Sequence, residues 1–387
     1  MEFGTWYALN CGPETRWHDD FALARDAGFD YLVLWNLRPD GGRVKGDVRC
    51  IVRRRDKTLR ALDQADRAGL GAYLGIWHPY FIGRIPPAQR LQWATGERPN
   101  APDLFNREWL RSAWLPYVRE AARVFKSHGA YRGAYFDDTF PVMRQRTTSW
   151  LSYAAPDRHR FRGWLKRRYG TLENLTMRHR PGRAYRSFET VDPPRTPAEN
   201  LALWTDWTEA RADWCEEFAR RTAQAYRAVD PNPAHELVLS DQDYHMQCNA
   251  LQYGVDYRRV LRHFDRFEIY MAAEHAKIGR RELLADVEAD VRRGVALACG
   301  KPFAFATWFA DRSSMAPMPG AALRAVVRRA DKCGARAVDI YALKVYDWRT
   351  AYSARQAAGE LPPFPEMSLT HNPKVVRAVA REIAALR

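Results

Sequence analysis

The chain has 387 residues, 46% of them hydrophobic and 28% charged, with a mean hydropathy of −0.53. These proportions exclude a disordered tail and a collagen-like fibre, and no apolar run reaches the roughly 18–20 residues of a membrane-spanning helix. The +15 charge comes from 61 Lys and Arg, 52 of them Arg, against 46 Asp and Glu; most arginines sit beside acids at helical spacing, as in Arg119-Glu120 and Arg280-Arg281-Glu282, which reads as solvated helix faces rather than a nucleic-acid surface.

Eight β-rich runs follow one another: 3–10 (FGTWYALN), 31–37 (YLVLWNL), 70–77 (LGAYLGIW), 131–138 (YRGAYFDD), 235–241 (HELVLSD), 266–272 (RFEIYMA), 302–309 (PFAFATWF) and 337–345 (AVDIYALKV). Amphipathic stretches lie between them at 18–28, 56–69, 109–128, 211–229, 281–298 and 320–334, several closing on Gly as a helix C-terminus does. Eight strand–helix repeats predict an α/β fold, a single (β/α)8 TIM barrel over 1–387, with its site at the C-terminal ends of the strands. The repeats DAGFD, RAGLG and KCGAR ahead of strands two, three and eight are helix ends leading into strands, architecture rather than chemistry. Cys11, Cys50, Cys215, Cys248, Cys299 and Cys333 are far apart, with no C-x-x-C pair for a zinc ribbon or a disulfide scaffold; most are expected to be buried thiols. No secretory signal precedes the first run, so the chain as written is expected in the cytoplasm, or outside the cell if a leader has been removed.

Residues 141–210 interrupt the repeat after strand four. The stretch is aromatic, basic and Pro-rich (DPPRTP at 192–197) and too long for a simple loop, which predicts a helical excursion over the barrel mouth. Part of it, 161–232, opens FRGWLKRRYGTLENL and is similar to the segment following strand four in the β-galactosidases of glycoside hydrolase family 42. Phe161, Trp164, Leu165, Arg168, Tyr169, Gly170, Thr171, Leu172, Glu173 and Leu175 match the family pattern F-x-x-W-L-x-x-R-Y-G-T-L-E-x-L in register. Elsewhere the likeness lies in the order of elements. The resemblance implies descent from retaining barrel-type glycosidases, which place an acid/base Glu after strand four and a nucleophilic Glu at strand seven. This sequence departs at both. Set against G-W-Q-I-D-N-E, the run GAYFDDT puts Asp137 on the Asp, Asp138 on the Asn and Thr139 on the acid/base; set against P-W-M-L-M-E-Q, PFAFATW puts Thr307 on the nucleophile. Glycoside cleavage needs one group that donates a proton and another that attacks or stabilises the oxocarbenium centre, and two hydroxyls do neither. Either the chemistry has moved or it has been lost.

Carboxylates remain at other strand ends: Asp137 and Asp138 at strand four, Asp241 and Asp243 at strand five, Glu274 after strand six, Asp311 after strand seven and Asp347 after strand eight. Side chains alternate along a strand, so a regular strand turns only one of Asp137 and Asp138 to the axis. A strand-four Asp with an acid at strand five or six resembles the retaining α-glycosidases, which makes Asp138 and Glu274 the preferred pair and Asp241 the substitute for Glu274. The plainer reading of each acid is a cap or an ion-pair partner. Rings suited to stacking on sugar faces lie at or beyond strand ends, at Trp6, Trp35, Trp77, Tyr80, Trp308 and Trp348, with Asn10, Asn36, His78 and Asp243 as candidates for sugar hydroxyls. Lys344 and Asp347, in YALKVYDW, are unusual charges for a strand end; Lys344 suits a site carboxylate or a charged sugar.

Competing chemistries find less support. His78, Asp137, Asp241, His245 and His275 superficially suit a metal, but strand one lacks an H-x-H and no H-E-x-x-H occurs. Neither a G-x-S-x-G nor a phosphate-cradling Gly-rich turn is present. No metal or cofactor is therefore expected. The rival from another class is a catalytically inactive barrel that binds carbohydrate or a protein partner; the retained acids and rings favour relocated catalysis. The expected partner is a carbohydrate substrate rather than nucleic acid or membrane, and the sequence leaves the oligomeric state open.

Overall fold

A computed structural model describes residues 1–9, 14–35, 49–76, 85–99, 101–137, 152–181, 184–242, 250, 254–270, 280–308, 318, 320–344, 369–371 and 373–387. Eight parallel strands, β1 (Glu2–Ala8), β2 (Tyr31–Trp35), β3 (Gly71–Ile76), β4 (Tyr131–Asp137), β5 (Glu236–Gln242), β6 (Arg266–Tyr270), β7 (Phe303–Trp308) and β8 (Ala337–Lys344), pair in chain order and close β8 onto β1. Every strand starts within one residue of its predicted run and ends within two. The runs are legible because both faces of each strand are buried, so apolar residues are nearly continuous. Leu32, Leu34, Leu74, Phe136, Leu237, Leu239, Phe267 and Ile269 face the helices, while Trp6, Tyr31, Trp35, Tyr73, Tyr135, Val238, Tyr270 and Tyr341 fill the interior.

The helices include α1 (Trp17–Asp26), α2 (Arg49–Arg67), α3 (Leu115–Phe125), α4 (Ala155–Tyr169), α5 (Leu172–His179), α6 (Leu201–Arg227), α7 (Arg280–Ala298), α8 (Gly320–Lys332) and α9 (Pro373–Ala384). A helical turn, Arg107–Trp109, and a π-turn, Leu110–Trp114, lead into α3. The glycines of DAGFD, RAGLG and KCGAR hold φ of +89°, +72° and +102°, the left-handed conformation that ends a helix and turns the chain into the next strand. Helix α6 starts at Leu201 rather than near 211, because Asn200 caps it, its Oδ1 accepting from the Leu203 N–H at 3.0 Å. The segment after β4 therefore contributes α4, α5 and the first turns of α6, joined by Phe161 against Trp207 (4.9 Å between rings) and by Tyr169 and His179, which both bond Asp206 (2.6 and 2.8 Å).

Of the described thiols, Cys215 is buried, Cys299 exposed and Cys333 half-buried. Cys299 directly follows α7, its thiol donating to the Ala296 carbonyl, and Cys333 directly follows α8, packed partly against the core. The side chains of Cys11, Cys50 and Cys248 lie outside the described residues.

The N-terminal end of the barrel is closed by charge. Arg266 pairs with Glu2 (3.0 Å) and Glu236 (2.9 Å), Arg132 with Glu2 (3.1 Å), and the Tyr73 hydroxyl donates to Glu236 at 2.6 Å. Partial burial acts to raise Glu2, yet the two guanidiniums outweigh it and hold that carboxyl below its ordinary value.

Candidate active site

Pleat alternation assigns the interior positions of each strand. At the C-terminal end the interior is aromatic: the Trp6 ring lies 4.7 Å from Trp35, 4.9 Å from Tyr341, 5.5 Å from Tyr135 and 5.7 Å from Tyr270, mostly edge to face. These residues are buried and form a floor across β1, β2, β4, β6 and β8. Sugars stack on the flat apolar faces of such rings where a face is open; here Trp35, Tyr270 and Tyr341 keep 7–8% of their surface exposed and Trp6 2%.

One layer below the floor lie two carboxyls that the sequence reading passed over. Glu268 and Asp339 are both 0% exposed. Tyr31 donates to Asp339 Oδ1 at 2.5 Å, Tyr135 to Asp339 Oδ2 at 3.2 Å, and Ser240 to Glu268 Oε1 at 2.8 Å. Glu268 Oε2 meets no donor among the described residues. Burial first, then the charge of Asp339 and a hydrogen bond to it, push Glu268 well above the carboxylate range. A proton held on Glu268 and turned toward Asp339 satisfies both groups, because two adjacent ionised carboxylates in a dry interior repel. Burial and these acids likewise raise the Tyr31 and Tyr135 phenols. The signal for the pair was present in RFEIY: Phe267 and Ile269 take the helix-facing side, which leaves Arg266, Glu268 and Tyr270 on the interior.

Among the sequence-predicted residues, the structure brings Trp6 and Trp35 together in the floor. Asp241 goes elsewhere. It shares the parity of Leu237 and Leu239 on the helix-facing side of β5, is buried, and accepts a hydrogen bond from Tyr257, so it does not face the axis as a substitute for Glu274 would have to. Asp137, Trp308 and Lys344 are the last residues of β4, β7 and β8, and only their strand positions are described. Asn10, Asn36, Trp77, His78, Tyr80, Asp138, Asp243, Glu274, Asp347 and Trp348 lie outside the described residues, as does Thr139. Thr307 is buried on β7 with the parity of Phe303 and Phe305, which face the helices.

Two clefts border the segment after β4 rather than the barrel axis. One, of about 760 Å³, lies between Trp164, Arg168, Glu209, Asp213, Tyr257 and Arg259; the other, of about 640 Å³, between Asn106, Asp157, Arg160, Trp214 and Glu217. Among the described residues, no three His, Cys, Asp or Glu gather as a metal site would require, and no helix is long and apolar enough to cross a membrane.

Solved structures share this architecture. The β-galactosidase of the psychrophilic Marinomonas ef1 matches 100% of the chain with a TM-score of 0.72 at 18% identity, and the β-galactosidase of the Antarctic haloarchaeon Halorubrum lacusprofundi does so with 0.72 at 18%. That of Bacillus circulans sp. alkalophilus matches 100% with 0.74 at 13%. The chain spans only 60%, 58% and 56% of those three proteins, and at such identities the likeness shows the fold. No curated protein matches the chain in sequence. The model of the glycoside hydrolase family 42 β-galactosidases does match, over residues 92–359, a span that takes in β4 to β8, the helices between them and the 161–232 segment. With more than half its length matched by that model and the closed barrel to go with it, the chain belongs to glycoside hydrolase family 42, the β-galactosidase family.

Proposed function

We propose that this protein hydrolyses a glycosidic bond of an oligo- or polysaccharide, with carboxylates near the C-terminal ends of β4 and β6 in the two working roles. The observation that carries the reading is the aromatic floor of Trp6, Trp35, Tyr270 and Tyr341 at the C-terminal end of a barrel of glycosidase descent. Asp138 and Glu274 are the proposed pair. Position 137 has the parity of the inward-facing Tyr135 and so enters the proposal beside Asp138. Trp6 and Trp35 supply the stacking surface, and Asn10, Asn36, Trp77, His78, Tyr80, Asp243, Trp308, Lys344, Asp347 and Trp348 are proposed to bind sugar around it. The 141–210 segment shapes access within a single barrel domain.

The reaction requires one carboxylic acid to protonate the departing oxygen and one carboxylate to attack the anomeric carbon or to activate water. The experiment is a panel of aryl and natural glycosides, β-galactosides first because the similar structures are β-galactosidases. Turnover by the wild type that disappears in Glu274→Gln and in Asp138→Asn or Asp137→Asn supports the assignment. The Thr that the resemblance sets on the two family glutamates, at 139 and 307, favours a second reading, an inactive sugar-binding barrel. Saturable oligosaccharide binding without turnover on any member of the panel establishes that reading instead.

A further inference from the structure

Away from the barrel interior, a second acid pair links two connections on the C-terminal side of the strands. Asp103 lies in the segment between β3 and α3, and Asp157 in the first turn of α4, beyond β4. Both are buried, at 1% and 2% exposure, although each belongs to a surface connection. Asp103 Oδ1 accepts from the Phe105 N–H at 3.0 Å, and the Asp157 carboxyl accepts from the N–H of Ala154, the residue that opens α4. The second oxygen of each, Oδ2, is buried without a donor among the described residues, and the two carboxyls are within hydrogen-bond reach of each other. Two acceptor oxygens turned to one another repel unless a proton lies between them.

We propose that Asp103 and Asp157 form a proton-dependent clasp, in which one shared proton fastens the connection after β3 to the connection after β4. The charges around the pair do not replace that proton. Arg160 is the cation nearest both acids, but its guanidinium bonds Glu217 at 2.6 Å and the Phe105 carbonyl at 3.3 Å, and lies 4.7 Å over the Trp214 ring. Arg107 faces Arg160 from the turn before α3, and Glu217 faces it from α6; His159, Glu108 and Arg167 line the adjoining cleft. Burial is the first cause that pushes Asp103 up, to about 6, and Asp157 well above the carboxylate range, with the Asp103 charge adding to the second. A raised value in the closed form makes the clasp strongest below the ordinary Asp range and weakens it as pH rises through the pair's own titration. Among the described residues, two other hydrogen bonds remain when the proton leaves: the Tyr153 N–H to the Gln92 carbonyl at 3.1 Å, and Arg160 to the Phe105 carbonyl. The expected result is local loosening rather than unfolding.

The test is hydrogen exchange of the intact protein, read in peptides covering 101–106 and 152–160 and corrected for the intrinsic pH dependence of exchange. Wild-type protection should fall by about tenfold for each pH unit from near pH 5 until the pair has titrated, the slope of one proton held by the closed form alone. Asp157→Asn and Asp103→Asn each keep the backbone bond through the amide oxygen and donate from the amide nitrogen to the remaining carboxylate. Each single variant should therefore stay protected across that range. The double variant places two amide nitrogens face to face and should be unprotected at every pH. Flat wild-type protection from about pH 5 to pH 8, single variants that keep the wild-type slope, or a double variant as protected as the singles would each overturn the clasp. Enzymatic activity enters none of these readouts.

Discussion

Glu268 on β6 and Asp339 on β8 meet inside the barrel as one carboxyl pair sealed from water, with Ser240 bonding one member and Tyr31 and Tyr135 the other. The raised Glu268 binds its proton more tightly folded than unfolded. Its stabilising contribution is therefore complete below the unfolded Glu value, about 4.3, and declines as pH rises toward the folded one. Glu268→Gln keeps the bond from Ser240 and donates permanently to Asp339. Relative to this variant, wild-type unfolding free energy should drop by about 1.4 kcal/mol per pH unit across that window. Urea unfolding over a pH series measures it, and parallel curves for the two proteins would refute the shared proton.

The pair fits only because β1 brings a glycine against it. A Cβ on Gly4 would stand 2.1 Å from Asp339 Oδ1 and 2.2 Å from Tyr31 Cε2, neither of which has room to retreat. Gly4→Ala should cost about 3 kcal/mol or abolish folding, by the usual penalty for overpacking a dense interior. Thermal melting decides this, with an unchanged midpoint as the contrary result.

Trp6 touches four other rings of the floor, so Trp6→Ala removes both a stacking surface and much of the packing. The expected destabilisation is about 3–5 kcal/mol. Trp6→Phe retains part of the contact and should fold with a smaller loss while weakening oligosaccharide affinity. Calorimetric titration of the folded Phe variant separates the two effects; wild-type affinity there would remove Trp6 from the sugar surface.

Asp241 gives the opposite expectation. Its carboxylate takes the Tyr257 hydroxyl on the helix-facing side of β5. Asp241→Asn should lose about 1.5–3 kcal/mol of stability, the range for a charged hydrogen bond, and leave turnover per folded molecule unchanged. Assay of the folded fraction tests this, and loss of turnover in a stable Asp241→Asn protein would return the residue to the catalytic candidates.

The strands were readable because hydrophobicity and punctuation agree: apolar runs between Gly-ended helices leave few alternatives to a closed parallel sheet. The 161–232 segment carried the family for a related reason, since Phe161, Trp164 and Tyr169 are packing and bonding residues that the helices require. Interior acids were harder to see. A search confined to strand ends passes over Glu268 and Asp339, which sit mid-strand among aromatics and show themselves only when parity is followed through the whole run. Asp241 misled for the same reason, as closeness to a strand end says nothing about which face a residue takes.

The ion cluster that closes the base of the barrel ties the start of the chain to a partner made much later. Glu2 pairs with Arg266, and β1 pairs along one edge with β2 and along the other with β8, residues 337–344. During synthesis the first strand must hold an unpaired edge until residues 337–344 have left the ribosome, and loops this long close slowly. A nascent chain halted before β8 presents that edge to any neighbour able to pair with it.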